Sequence, residues 1–181
     1  MAPAQNADLL VADFDNGKIE TVQGLAMVVM ADEQFGGTSD ARLTLIHPGA
    51  ERSRSALRIF FRITGDFANP FSGVWALLGS EGLPTDMSAY RGVRFHARSK
   101  EGTFLAGVGQ FSGQSAFYLA PFETRPEWTV VELPFDQFRR AMPRNDGSVL
   151  APTNAVSIAF NVSSQLRGQF DLDIDRVQLY R

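Results

Sequence analysis

The chain has 181 residues, 44% hydrophobic and 11% aromatic, enough apolar material for one packed domain and far from the composition of a disordered chain. A formal net charge of -3 with no basic tract argues against a nucleic-acid partner. The absence of cysteine excludes disulfides, thiolate metal sites and a cysteine nucleophile, and no apolar run reaches the ~18 residues of a membrane span. Residues 1–8 form a polar lead-in, expected to be disordered or appended, without the basic and apolar regions of a signal peptide. The chain therefore reads as cytoplasmic as it stands, or exported if it is a trimmed mature form, with a single domain over residues 9–181.

Taken in order, the apolar runs read as strands separated by turn signals. Leu9 to Phe14 is stopped by Asp15-Asn16-Gly17, and Gly24 to Ala31 is followed by a loop holding Gly36 and Gly37. Ala41 to Ile46 comes next, then the alternation Leu57, Ile59, Phe61, Ile63 against Arg58, Phe60, Arg62, then Gly73 to Leu78. Asp86 and Ser88 suit a capped helical turn ending near Tyr90, and Asp136 suits another through Arg139. Gly92 to Arg98 sets Val93, Phe95 and Ala97 opposite Arg94, His96 and Arg98. Thr103 to Phe111 sets Phe104, Ala106 and Val108 opposite Gly107 and Gly109. Ala116 to Ala120, Trp128 to Phe135 and Ala155 to Val162 follow. The pattern is that of an all-β sandwich of some ten strands.

The last stretch, Gly168 to Arg181, carries its own structural argument. Phe170, Leu172 and Ile174 are apolar at even positions and alternate with Asp171, Asp173 and Asp175, but Val177 and Leu179 resume the apolar set at odd positions. If both halves feed one core, a β-bulge is required near Asp175 and Arg176.

Four motifs in this order resemble the complex I intermediate-associated protein family: Ala12 to Gly17, Phe35 to Ser39 with Ala41 and Leu43, Trp128 to Phe138, and Gly168 to Leu179. That family is similar in turn to the galactose-binding-like jelly rolls that include many carbohydrate-binding modules. The resemblance implies a single-domain jelly-roll β-sandwich without catalytic activity. It implies assembly factors for respiratory complex I in one branch and bacterial domains, some attached to hydrolases, in another. Similar carbohydrate-binding jelly rolls hold a structural calcium between their first and last strands, which directs attention to Asp13, Asp15 and Asp175 as possible calcium ligands. A solvated or Arg-paired face is the competing reading of these aspartates and of Asp171 and Asp173, which complete the acidic column.

The leading functional expectation is a binding face for a carbohydrate-like ligand. Arg94, His96 and Arg98 supply polar groups, Gly107 and Gly109 leave the adjacent surface flat, and Ser157 and Asn161 line a further strand. Trp75, Phe111 or Tyr118 offers a stacking platform for a sugar ring, the competing reading being that Trp75 is a core aromatic and that Arg94, His96 and Arg98 are solvated surface groups. This trough requires those strands to be neighbours. The alternative is a protein partner taken through loops, with Phe67, Pro70, Phe71, Phe122 and Pro126 as an aromatic patch. An acid-dependent glycan hydrolase using Asp173 or Asp175 is the remaining reading. A serine triad is not supported, since His47 and His96 are the only histidines and no Gly-x-Ser-x-Gly elbow occurs.

Overall fold

The computed structural model describes residues 7–80, 83–100, 102–162 and 165–181. They form twelve strands and no α-helix, so the all-β expectation holds. The strands are β1 (Leu9–Ala12), β2 (Val28–Ala31), β3 (Asp40–Ile46), β4 (Ala56–Ile63), β5 (Ser72–Leu77) and β6 (Gly92–Arg98). They continue as β7 (Thr103–Phe111), β8 (Ser115–Glu123), β9 (Thr129–Pro134), β10 (Arg139–Met142), β11 (Ala155–Val162) and β12 (Gly168–Tyr180). No helix among the described residues is long and apolar enough to cross a membrane.

Two six-stranded sheets result. Sheet 1 runs β3-β4-β12-β6-β9 with β1 also paired to β12, and sheet 2 runs β10-β8-β7-β11-β5-β2. Every pairing between these strands is antiparallel. Period-2 alternation then decides the core, because each strand turns one parity inward. From sheet 1 come Leu57, Ile59, Phe61, Val93 and Phe95; from sheet 2 come Val74, Phe104, Val108, Ile158 and Phe160. Phe95 meets Phe122 and Phe160 edge-on, each at 5.0 Å between ring centroids, joining the sheets at the centre.

The bulge in β12 is present. Asp175 pairs with His96 but the next pair in the ladder is Gln178 with Arg94, and Arg176 takes a positive φ of 47°. Leu172, Ile174, Val177 and Leu179 consequently all reach the core. The bulge also marks a change of neighbour. Up to Ile174 the strand pairs with β4, and from Val177 onward β1 occupies that side.

Two local expectations differ. Residues 83–91 make turns, with the Ser88 N–H donating to the Asp86 carboxylate at 2.8 Å, and not a helical turn. Near Asp136 only a 3-10 turn forms, Phe135–Gln137, because Arg139 already begins the edge strand β10.

Candidate functional site

The expected trough does not form as one surface, because its residues lie on opposite sides of the sandwich. Arg94, His96 and Arg98 stand on β6 in sheet 1, whereas Trp75, Gly107, Gly109, Ser157 and Asn161 belong to β5, β7 and β11 in sheet 2. Sequence periodicity gives the face of each strand but not which strands are neighbours, so it could not separate the two.

The outer face of sheet 1 is a lattice of ion pairs. Arg58 donates from Nε and Nη2 to the two Asp173 oxygens at 2.7 and 2.9 Å, and Arg98 Nε adds a third bond at 2.8 Å. The Arg98 guanidinium also lies over the Trp128 ring at 4.6 Å. Arg94 is shared between Glu132 and Asp8, at 2.6 and 2.7 Å. His96 is buried, and its Nε2 sits 3.4 Å from Glu51, outside hydrogen-bond geometry. Glu51 in turn accepts from Arg176 at 2.9 Å. Arg94 and Arg98 are thus engaged within the protein, and within the acidic column Asp173 fits the Arg-paired reading.

Asp175, although on the outward parity, is fully buried because the turn between β3 and β4 closes over it. Its Oδ2 accepts from the Ala50 N–H at 2.8 Å and the Ser53 hydroxyl at 2.5 Å, and its Oδ1 accepts from the Arg176 N–H at 2.8 Å. Gly49 permits this approach, since a Cβ there would lie 2.5 Å from Asp175 Oδ2. Burial pushes the Asp175 carboxyl above the ordinary carboxylate range, only partly opposed by these donors.

Asp13 and Asp15 line an open recess of about 330 Å³ together with Leu10, Arg176 and Gln178. Among the described residues no three histidine, cysteine, aspartate or glutamate side chains converge as a metal site. Asp13 Oδ1 instead accepts the Asp15 N–H, and Asp15 Oδ1 the Ser55 N–H. Asp175, the third expected calcium ligand, does not line this recess, and its oxygens accept from Ala50, Ser53 and Arg176. For the hydrolase expectation, Asp173 and Asp175 are buried and each accepts three hydrogen bonds from protein donors.

Sheet 2 presents a different outer face. On β5 the outward residues are Gly73, Trp75 and Leu77; on β11 they are Ser157, Ala159 and Asn161, paired directly opposite. Gly109 and Gly107 of β7 lie across from Ser157 and Ala159, and Phe117 and Leu119 of β8 lie across from these glycines. None of these central side chains is charged. Trp75 and Phe117 lean toward one another across the two intervening strands and stack with centroids 5.2 Å apart and an interplanar angle of 14°. Small residues make this possible, because a Cβ on Gly107 would meet Phe117 Cζ at 2.5 Å. Apolar residues continue outward, with Val28 36% and Met142 62% exposed at the two edge strands and Phe111 48% exposed at the end of β7.

Of the expected platform residues, Trp75 faces outward as required, but Tyr118 does not. Its parity turns it into the core, where it is 4% exposed, and its hydroxyl accepts from Arg140 Nη2 at 2.9 Å. Phe117, its neighbour, holds the outward position and escaped the sequence reading. The signal for it was the glycine pair on β7, over which a cross-strand aromatic commonly lies. The expected loop patch is also divided. Phe122 is a core residue and Pro70 is buried, whereas Phe67 and Phe71 are half-buried and Pro126 is exposed; Phe71 lies against the exposed Phe35 at 6.0 Å between ring centroids.

The family model described as Complex I intermediate-associated protein 30 matches residues 13–174 of the chain. No curated protein matches it. Among solved structures, a family 11 carbohydrate-binding module from a cellulosomal cellulase of Clostridium thermocellum superposes with a TM-score of 0.73 at 16% identity, covering 97% of this chain and 95% of that one. A second structure of the family 11 module from Clostridium thermocellum, in complex with a β-1,3-1,4-mixed-linked tetrasaccharide, gives 0.69 at 16% identity over 97% and 96%. A family 30 carbohydrate-binding module gives 0.55 at 15% identity, covering 76% and 73%. At these identities the likeness establishes the jelly-roll fold.

Proposed function

The chain belongs to the complex I intermediate-associated protein 30 family, and from that premise we propose that it is a non-catalytic binding module whose ligand face is the outer surface of sheet 2. The observation that carries this reading is the uncharged trough in which Trp75 and Phe117 stack above Gly107 and Ala159. An aromatic face beside a flat floor suits the apolar face of a sugar ring, and Ser157 and Asn161 supply hydroxyl and amide groups for its hydroxyls. The ligand is a neutral carbohydrate-like chain, because no ionised side chain stands on the central floor to pair with a charge. The fold's occurrence in carbohydrate-binding modules supports the class without identifying the sugar. The test is isothermal titration against neutral oligosaccharides, the mixed-linked tetrasaccharide included. Heat of binding abolished by Trp75→Ala upholds the reading, and a broad panel with no binder overturns it.

The apolar margin favours a second reading. Val28, Met142 and Phe111 extend the face beyond what a sugar requires, in the way a protein partner would use. Under this reading the module assists assembly, and the family's description directs the search to intermediates of complex I. Co-migration of the chain with such an intermediate on native gels, lost on Val28→Asp and Met142→Asp together, decides for it. Unchanged migration in the double variant decides against it.

A further inference from the structure

Ser157 and Ala159 point outward from sheet 2, yet both are 0% exposed. Ala159 does not belong to the core cluster between the sheets, so its cover comes from outside. That cover is the aromatic pair. A Cβ on Gly107 would lie 2.5 Å from Phe117 Cζ and 3.2 Å from the Ala159 Cβ, so the Phe117 ring fills the side-chain space of Gly107 beside Ala159. One step along β7, a Cβ on Gly109 would lie 2.5 Å from Ser157 Oγ and 3.7 Å from Phe117 Cδ2. Hydroxyl and ring therefore share the space above Gly109. The Ser157 hydroxyl, shut away from solvent, has no hydrogen-bond partner. A buried hydroxyl left unpaired is costly, and sequence choice at a floor position would ordinarily favour alanine, as at 159.

We propose that the Trp75–Phe117 stack is the closed state of the trough, and that Phe117 is a gate whose ring occupies the ligand's place. Swinging the ring off Gly107 and Gly109 uncovers a slot between β8 and β5, walled by Phe117 on one side and Trp75 on the other. At 5.2 Å between centroids the two rings admit no third ring until they part. The occupant is a neutral ring carrying hydroxyls: its flat face replaces the aromatic contact, and a hydroxyl satisfies Ser157. This rests on the binding reading above for what displaces the ring, but the gate itself can be tested without any ligand. It also makes Ser157 a specificity residue, since a site built to bond a hydroxyl discriminates against a ring that lacks one.

The cysteine-free sequence supplies the probe. Ser157→Cys places one thiol under the ring, and its alkylation by iodoacetamide is followed by mass spectrometry in the otherwise native chain and in the Phe117→Ala background. The gate predicts slow labelling with Phe117 present and a rise of at least ~10-fold without it, equivalent to about 1.4 kcal/mol in opening free energy. A thiol that reacts as fast as an exposed cysteine with Phe117 in place overturns the closed state. A thiol that stays inert after Phe117→Ala overturns the slot. Ser157→Ala guards against misfolding of the thiol variant: an unpartnered hydroxyl predicts an equal or higher melting temperature, and a clear fall means that Ser157 has an internal partner and removes the basis of the proposal. If the labelling behaves as stated while no neutral oligosaccharide binds, the gate stands and the carbohydrate reading falls.

Discussion

Asp173→Ala separates the structural from the functional reading of sheet 1. The carboxylate is 4% exposed at its side chain and accepts three charge-assisted bonds, two from Arg58 and one from Arg98. Breaking a buried pair by removing one partner costs roughly 3–5 kcal/mol when the surviving charge is sealed in. Here the survivors are partly wet, with Arg58 40% and Arg98 32% exposed, and Arg98 keeps its contact with Trp128, so hydration recovers part of the loss. The expected destabilisation is about 2–3 kcal/mol, which for a domain of this length lowers Tm by about 4–12 °C. Circular dichroism melts and urea titrations of the two proteins read it directly. Ligand binding on sheet 2 should survive at temperatures where the variant is folded. A Tm within about 1 °C of the parent would refute the argument that this triad braces sheet 1. So would intact stability with loss of a hydrolytic turnover.

Asp175 gives a pH signature. Its carboxyl is raised by burial above its unfolded value, so the folded chain holds the proton more tightly and stability contributed by this group grows as pH falls through the raised pKa. The Tm difference between the parent and Asp175→Asn should therefore widen in the parent's favour on acidification from neutral pH toward the carboxylate range; a narrowing difference contradicts the burial argument. For the recess holding Asp13 and Asp15, EDTA should leave Tm unchanged, because Asp175 lies outside its lining and is turned to Ala50, Ser53 and Arg176. A chelator-induced fall reversed by calcium would assign a cation to that recess.

The fold was legible because β-periodicity is strong here and because the parity change in β12 demanded a bulge, which Arg176 supplies. The four family motifs also have physical content. In the Asp32 to Ser39 loop, for instance, the buried Asp32 carboxylate accepts the N–H groups of Ser39 and Phe71 and ties two loops together. The candidate site was legible only in parts. Alternation puts Asn161 and the β7 glycines on the outward parity, and register sets Trp75, for which a core position is the competing reading, on the same face, but joining them to Arg94, His96 and Arg98 required a strand order that alternation does not contain. Tyr118 is expected as a stacking platform, whereas register turns it inward, its hydroxyl accepting from Arg140, and leaves Phe117 on the outward face. The burial of Asp175 depended on a turn folding back from 125 residues earlier in the chain, a contact that no local pattern reports.

The central claim is that recognition belongs to the uncharged face of sheet 2 and not to the charged face of sheet 1. Affinity electrophoresis through gels carrying neutral polysaccharides, run side by side with Trp75→Ala and Arg94→Ala, tests it most directly. Trp75→Ala should abolish retardation, a loss of at least ~10-fold in affinity if one ring contact of 1.4 kcal/mol or more is removed, while Arg94→Ala should migrate with the parent. Retardation lost with Arg94→Ala and kept with Trp75→Ala would contradict the account.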